Sequence, residues 1–222
     1  MTALTFTLKN GLTHQLDCRR LTNQFLADHT IADIEAMTLE SHHKVADWFT
    51  VSGSDASNIV FKQTNSYLTH IGHQMTKGRI TIEGDCGDYL GQRMQGCSIL
   101  CKGNAGDRAG DKMRRGILLI EGNTGDYCAS SLMAGTLGVM GFTGRYLGYG
   151  MKRGTLLLAK QPTEQATWVD CGSHHLPFLK LLYQSFSHFD SQFAKLSSTR
   201  AQRWMGDISG IGKGEILFLN PD

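Results

Sequence analysis

The 222-residue chain has no long uncharged apolar run, only 3 prolines, and no C-x-x-C pair among its 6 cysteines. Without such a run there is no candidate membrane-spanning helix, and the N-terminus carries no signal-peptide pattern, so a cytoplasmic protein without membrane contact is expected. Cys18, Cys86, Cys97, Cys101, Cys128 and Cys171 are scattered, which argues against a zinc or iron–sulfur site. G-x-S-x-G, a P-loop and H-E-x-x-H are all missing, so nucleophile-elbow, nucleotide-hydrolysing and zinc-protease chemistries have no foothold. The net charge of +2 is too small for a protein that coats polyanions with its whole surface.

What is plentiful is glycine, with 26 residues, and it is periodic. In rows of nineteen, Gly84, Gly103, Gly122 and Gly141 share one column, and Gly87, Gly106, Gly125 and Gly144 share another. Gly72, Gly91, Gly110 and Gly148 form a third, Met75, Met94, Met113 and Met151 a fourth, and Gly78, Gly116, Gly135 and Gly154 a fifth. Two apolar columns follow: Ile80, Ile99, Leu118, Leu137, Leu156, and Ile82, Cys101, Ile120, Val139, Leu158. The frame G-x2-G-x3-G-x2-M-x2-G-x-I-x-I-x-G runs without insertion over 66–159. A period this short, with strand-like alternation between glycine corners, predicts one turn of a solenoid per row. The expected fold is all-β, a right-handed parallel β-helix of 19-residue coils. The spacings do not suit a left-handed hexapeptide helix.

One domain is expected, with entry strands and degenerate coils over 1–65, regular repeats over 66–159, and a helix cap with closing strand over 160–222. LTFTLKNGLTHQL reads as a hairpin around Asn-Gly. DWFTVSG and NIVFKQ read as degenerate coils, and Leu176–Leu196 as an amphipathic helix capping the open end.

Alternation points the Ile80 and Ile82 columns inward and their neighbours outward. The outward set Leu100, Ile117, Leu119, Met140 and Leu157 makes an apolar stripe, a candidate partner interface unless the chain's own termini cover it. His70-x-x-His73 resembles a metal pair, but His70 shares its column with Tyr89, Arg108, Tyr127 and Tyr146, which favours stacked flat groups. Asp88, Asp107 and Asp126 form a carboxylate column that needs donors, expected to be backbone N–H groups; a cation is the alternative. Lys77, Arg93, Lys112, Arg114, Arg115, Lys152 and Arg153 share one edge with few acids, Asp111 among them. They suit a solvated corner or a track for an extended polyanion. Nucleic acid is disfavoured, since no aromatic platforms interleave with these charges.

The glycine–methionine frame, GDCGDYLGQRMQGCSILCKGNAGDRAGDKMRRGILLIEGN, and the closing GDISGIGKGEILF resemble the C subunit of formylmethanofuran dehydrogenase. More broadly they resemble the glycine-rich β-helix domain that ends the large glutamate synthase subunit. The resemblance covers about residues 45–160 and 204–219. It implies a non-catalytic member of a hetero-oligomer with three further kinds of chain. These are an amidohydrolase-like A subunit, a B subunit, and a D subunit that is a formyltransferase or a pterin-domain chain. In the archaeal version a molybdenum or tungsten pterin in a partner chain supports carbon dioxide reduction. In the bacterial formyltransferase/hydrolase complex the formyl group passes from tetrahydromethanopterin to a methanofuran analogue and is released as formate. No tightly bound cofactor is expected in this chain. Methanofuran-type cofactors have a glutamate-rich tail, which gives the basic corner a candidate ligand. A structural spacer without cofactor contact is the alternative, and a polysaccharide-lyase-like enzyme is disfavoured because no groove of clustered carboxylates is suggested.

Overall fold

A computed structural model describes residues 2–40 and 42–219. The strands are β1 (Ala3–Leu8), β2 (Leu16–Asp17), β3 (Thr38–Glu40), β4 (His43–Lys44), β5 (Phe49–Ser52), β6 (Asp55–Lys62), β7 (Leu68–Thr69) and β8 (Arg79–Ile82). They continue as β9 (Gln95–Cys101), β10 (Arg115–Ile120), β11 (Thr136–Val139), β12 (Thr155–Leu158), β13 (Val169–His175), β14 (Arg200–Gly206) and β15 (Gly214–Phe218). Helices are short: α1 (Asn23–Leu26), α2 (Ile31–Ala36), α3 (Val45–Trp48) and α4 (Phe178–Ser185). Eleven strands form one mixed sheet in the order β13-β14-β15-β12-β11-β10-β9-β8-β6-β1-β5.

The predicted period is the register of that sheet. Ile80 pairs with Ile99, Leu118 with Leu137, and Leu137 with Leu156, all in parallel. The frame reaches beyond 66–159 at both ends, because Ile59 pairs with Ile80, Leu4 with Ile59, and Leu156 with Ile216. Both inward columns are buried in one continuous apolar core, the main favourable contribution to folding. Away from the strands, successive repeats also bond where glycine columns meet, as in Gly103 N–H to Gly84 O and Gly122 N–H to Gly103 O.

These glycines serve a purpose that bends do not explain. At Gly122 the backbone is ordinary, but a Cβ would lie 2.6 Å from the Asn104 Oδ1 of the preceding repeat. That oxygen accepts the Asn123 N–H at 2.8 Å. The Gly116 column differs: its φ of +107 lies where L residues are strained.

Three expectations need correction. The stretch after Asn10-Gly11 does not fold back on β1; β2 pairs with β7 instead, because Leu12, Leu16 and Cys18 bury themselves in the core. DWFTVSG contributes β5, an antiparallel edge against β1, and is no degenerate repeat. The helix predicted over 176–196 is confined to α4, followed by a 3-10 turn at Gln192–Lys195. Moreover, this segment lies along the outward stripe and does not cap the end of the stack. The end is closed by β15, β14 and β13, with Trp168 and Trp204 buried there.

Candidate functional site

The basic corner follows the methionine column. Arg93 and Lys112 occupy left-handed backbone at φ 56 and 55, a conformation that costs a side-chain-bearing residue about 1–2 kcal/mol. Their N–H groups donate across the stack, Arg93 to Asp111 O at 2.8 Å and Lys112 to Ser130 O at 2.9 Å, which helps offset that cost. Arg114 and Arg115 follow on the same repeat, and Lys152 and Arg153 come two repeats later. Parallel strands repeat every ~4.8 Å, so these two groups stand about 10 Å apart. The repeat between them presents Ser131, Met133 and Ala134, while Lys77 and Arg93 stand on the first two repeats. The seven cations therefore form a cluster of three, a pair and two single charges, with no unbroken track.

All seven are exposed, and among the described residues none is ion-paired. Asp111 does not oppose them at the surface. It is 3% exposed and accepts from Gln92 Nε2 at 3.1 Å and Ser130 Oγ at 2.7 Å. Sequence reasoning missed an eighth cation, Lys213. The pairing of Thr155 with Glu215, extended back by two residues, puts exposed Lys213 in the Arg153 column. The signal was present: K-G-E-I-L-F aligns with R-G-T-L-L-L, displaced by the long excursion between them.

The apolar stripe is not an open partner surface. Leu100, Leu119 and Leu157 are buried beneath Leu179, Phe186 and Phe193 of the C-terminal segment, with Ile117 and Met140 partly buried beside them. Gly138 makes room for the Phe193 ring. The stripe's own periodicity carries no information about which segment covers it.

The flat column stacks as expected. His70 lies on Tyr89 and Tyr127 on Tyr146, each pair at 4.7 Å, and Arg108 lies 4.6 Å from the Tyr127 ring centroid. Burial lowers the His70 and His73 pKa values. The carboxylate column finds backbone donors: Asp107 N–H to Asp88, Asp126 N–H to Asp107 and Arg145 N–H to Asp126, all at 2.8 Å. The Arg145 N–H and then its guanidinium hold Asp126 below the usual carboxylate range. Lys102 pairs with Asp190 at 2.8 Å.

Among the described residues no three His, Cys, Asp or Glu side chains are grouped to hold a metal. Burial pushes the Cys97 and Cys128 thiols up to about 12. Cys86 and Cys101 are buried with their sulfurs 3.7 Å apart. No described helix is long and apolar enough to cross a membrane.

No protein-family model matches the chain. One curated relative, the C subunit of the formyltransferase/hydrolase complex Fhc of Methylorubrum extorquens, is 41% identical over 51 residues. That match spans 23% of this chain and only 19% of the relative. A chain in the crystal structure of the formyltransferase/hydrolase complex FhcABCD from the same organism, in complex with methylofuran, is similar over nearly the whole length. The likeness covers 98% of this chain and 100% of the other, with 28% identity and a TM-score of 0.64. The short sequence match names the subunit and the structural match spans the fold: the chain is similar to the C subunit of the formyltransferase/hydrolase complex over 51 residues and to a chain of that complex over nearly its whole length.

Proposed function

We propose that this chain is a non-catalytic structural subunit of a cytoplasmic formyltransferase/hydrolase-type complex of one-carbon metabolism. It scaffolds the catalytic chains, namely an amidohydrolase-like A subunit, a B subunit and a formyltransferase D subunit. Its basic corner holds the polyanionic tail of a methylofuran-type cofactor. The carrying observation is the nearly coextensive likeness to a chain of a complex that contains methylofuran. Both relatives bear the formyltransferase/hydrolase name, which favours the formate-releasing branch over the pterin-dependent one.

The exposed cations, unpaired among the described residues, support the tail-binding part. Each exposed contact contributes about 0.2–1 kcal/mol, so several together hold a tail while leaving it mobile, and added salt loosens it. The repeated bonding at strands, glycine columns and left-handed corners supports a right-handed parallel β-helix in which 1–222 act as one domain.

The test is the triple variant Arg114→Glu, Arg115→Glu, Arg153→Glu in the assembled complex, with affinity for a polyglutamate-tailed cofactor measured against salt. Loss of binding and a flattened salt dependence are expected. Unchanged affinity would remove the tail-holding role and leave a structural spacer.

A further inference from the structure

At the corner around Phe142–Tyr149 the stack ends unfinished. In earlier repeats two N–H groups, three residues apart, donate to the next repeat. Cys86 donates to Asn104 O, Ala105 to Asn123 O and Thr124 to Phe142 O, at 2.8–2.9 Å. Likewise Tyr89 donates to Asp107 O, Arg108 to Asp126 O and Tyr127 to Arg145 O, at 2.8–2.9 Å. The next donors in these series are Thr143 and Tyr146, and among the described residues nothing accepts their N–H groups. The neighbouring corner, in contrast, is closed by the chain itself: Gly150 N–H reaches Asp207 Oδ2 at 2.9 Å.

The following segment cannot finish the first corner for a local reason. Close approach needs glycine in two columns, since a Cβ at Gly144 would already lie 2.5 Å from the Gly125 carbonyl carbon. In the next row those columns hold Lys160 and Thr163. The segment stands off and leaves a cleft of about 430 Å³. Gly144, Tyr146 and Tyr149 form one wall, and Thr163, Gln165 and Thr167 the other. Phe142 and Tyr149 are 64% and 56% exposed, and Tyr146, the last ring of the stacked column, is 46% exposed.

We infer that this corner receives an extended segment of a partner protein of the complex, which supplies the missing row. Two of its carbonyls, three residues apart as Phe142 and Arg145 are, accept the Thr143 and Tyr146 N–H groups. A flat side chain of the segment lies on Tyr146, as Tyr146 lies on Tyr127. The two donors at backbone spacing favour a polypeptide, because main-chain addition to an open ladder supplies affinity and a neighbouring side-chain slot supplies choice. Exposed aromatic rings are the residue type enriched at such contacts. The inference rests on the subunit reading above.

The test compares amide hydrogen exchange over 142–149 in the isolated chain and in the native complex, together with Phe142→Ala and Tyr149→Ala. Both substitutions remove exposed rings and leave the ladder intact. Protection of the Thr143 and Tyr146 amides on assembly is expected, with partner affinity reduced about tenfold or more by the substitutions. Unchanged exchange and affinity in a complex that still assembles would overturn this surface while leaving the subunit reading in place. A chain that purifies without any partner would overturn both.

Discussion

Replacing Gly138 by leucine completes the outward column, which already has Leu100, Leu119 and Leu157 at the same register. Judged by the repeat alone, Gly138→Leu is an improvement, since glycine weakens a strand and its φ here is not positive. The structure predicts the opposite. An added Cβ lies 2.5 Å from Phe193 Cε1, 2.9 Å from Cζ and 3.0 Å from Leu119 Cδ2, and Phe193 is 1% exposed. Overpacking of this kind costs about 1–3 kcal/mol; expelling the ring altogether costs about 3–5 kcal/mol, as for a Phe→Ala truncation. In a chain of this size the milder case lowers Tm by roughly 2–4 °C per kcal/mol. Urea unfolding of the wild type, Gly138→Leu, Phe193→Ala and the double variant measures the coupling directly. The double variant should lose less stability than the sum of the single variants, because the introduced leucine side chain fills part of the space left by the ring. Strict additivity, or a more stable Gly138→Leu protein, would refute this seating of the C-terminal segment.

Other substitutions probe the ladder and its end. Gly125→Ala should destabilise by at least ~1–3 kcal/mol, since its Cβ meets the Asp107 Oδ1 and backbone that receive the repeat; a neutral result in chemical denaturation would show that the contact relaxes freely. Asp207→Ala should cost about 1–3 kcal/mol by leaving the Gly150 N–H without its acceptor. Burial raises the Asp207 pKa, but bonds from the Ser209 hydroxyl, then the Gly150 and Ser209 N–H groups, leave it lowered. Its stabilisation is therefore complete above the unfolded-state value near ~3.9 and is lost as pH falls through the lower folded value; the variant's stability should show a weaker acid dependence. With a thiol reagent at mildly alkaline pH, Cys171 should react quickly and the five buried cysteines only on unfolding. More than one fast thiol would contradict the closed core.

The strand register was legible because glycine and aliphatic columns record what each repeat needs from the one beneath it. Ile80 and Ile82 face inward as the alternation requires, and the His70 and Asp88 columns meet the partners their side chains demand. The role of the Gly122 column was not legible: close approach and positive φ both select glycine, and only the backbone angle separates them. The terminal segments carry no period, so nothing in LTFTLKNGLTHQL distinguishes a hairpin from β2 crossing to β7. The covering of Leu119 and Leu157 was equally hidden, because an amphipathic segment fits any apolar stripe it can reach. At the candidate site the exposure of Arg114 and Arg153 followed from the frame, whereas Lys213 emerged only through the β12–β15 pairing.

The most direct measurement is a mild affinity purification of the native protein, followed by mass spectrometry of the accompanying chains and small molecules. An amidohydrolase-like chain and a formyltransferase are predicted to accompany it, together with a cofactor bearing a polyglutamate tail. Recovery of the chain alone, as a monomer, would contradict the proposed scaffold role.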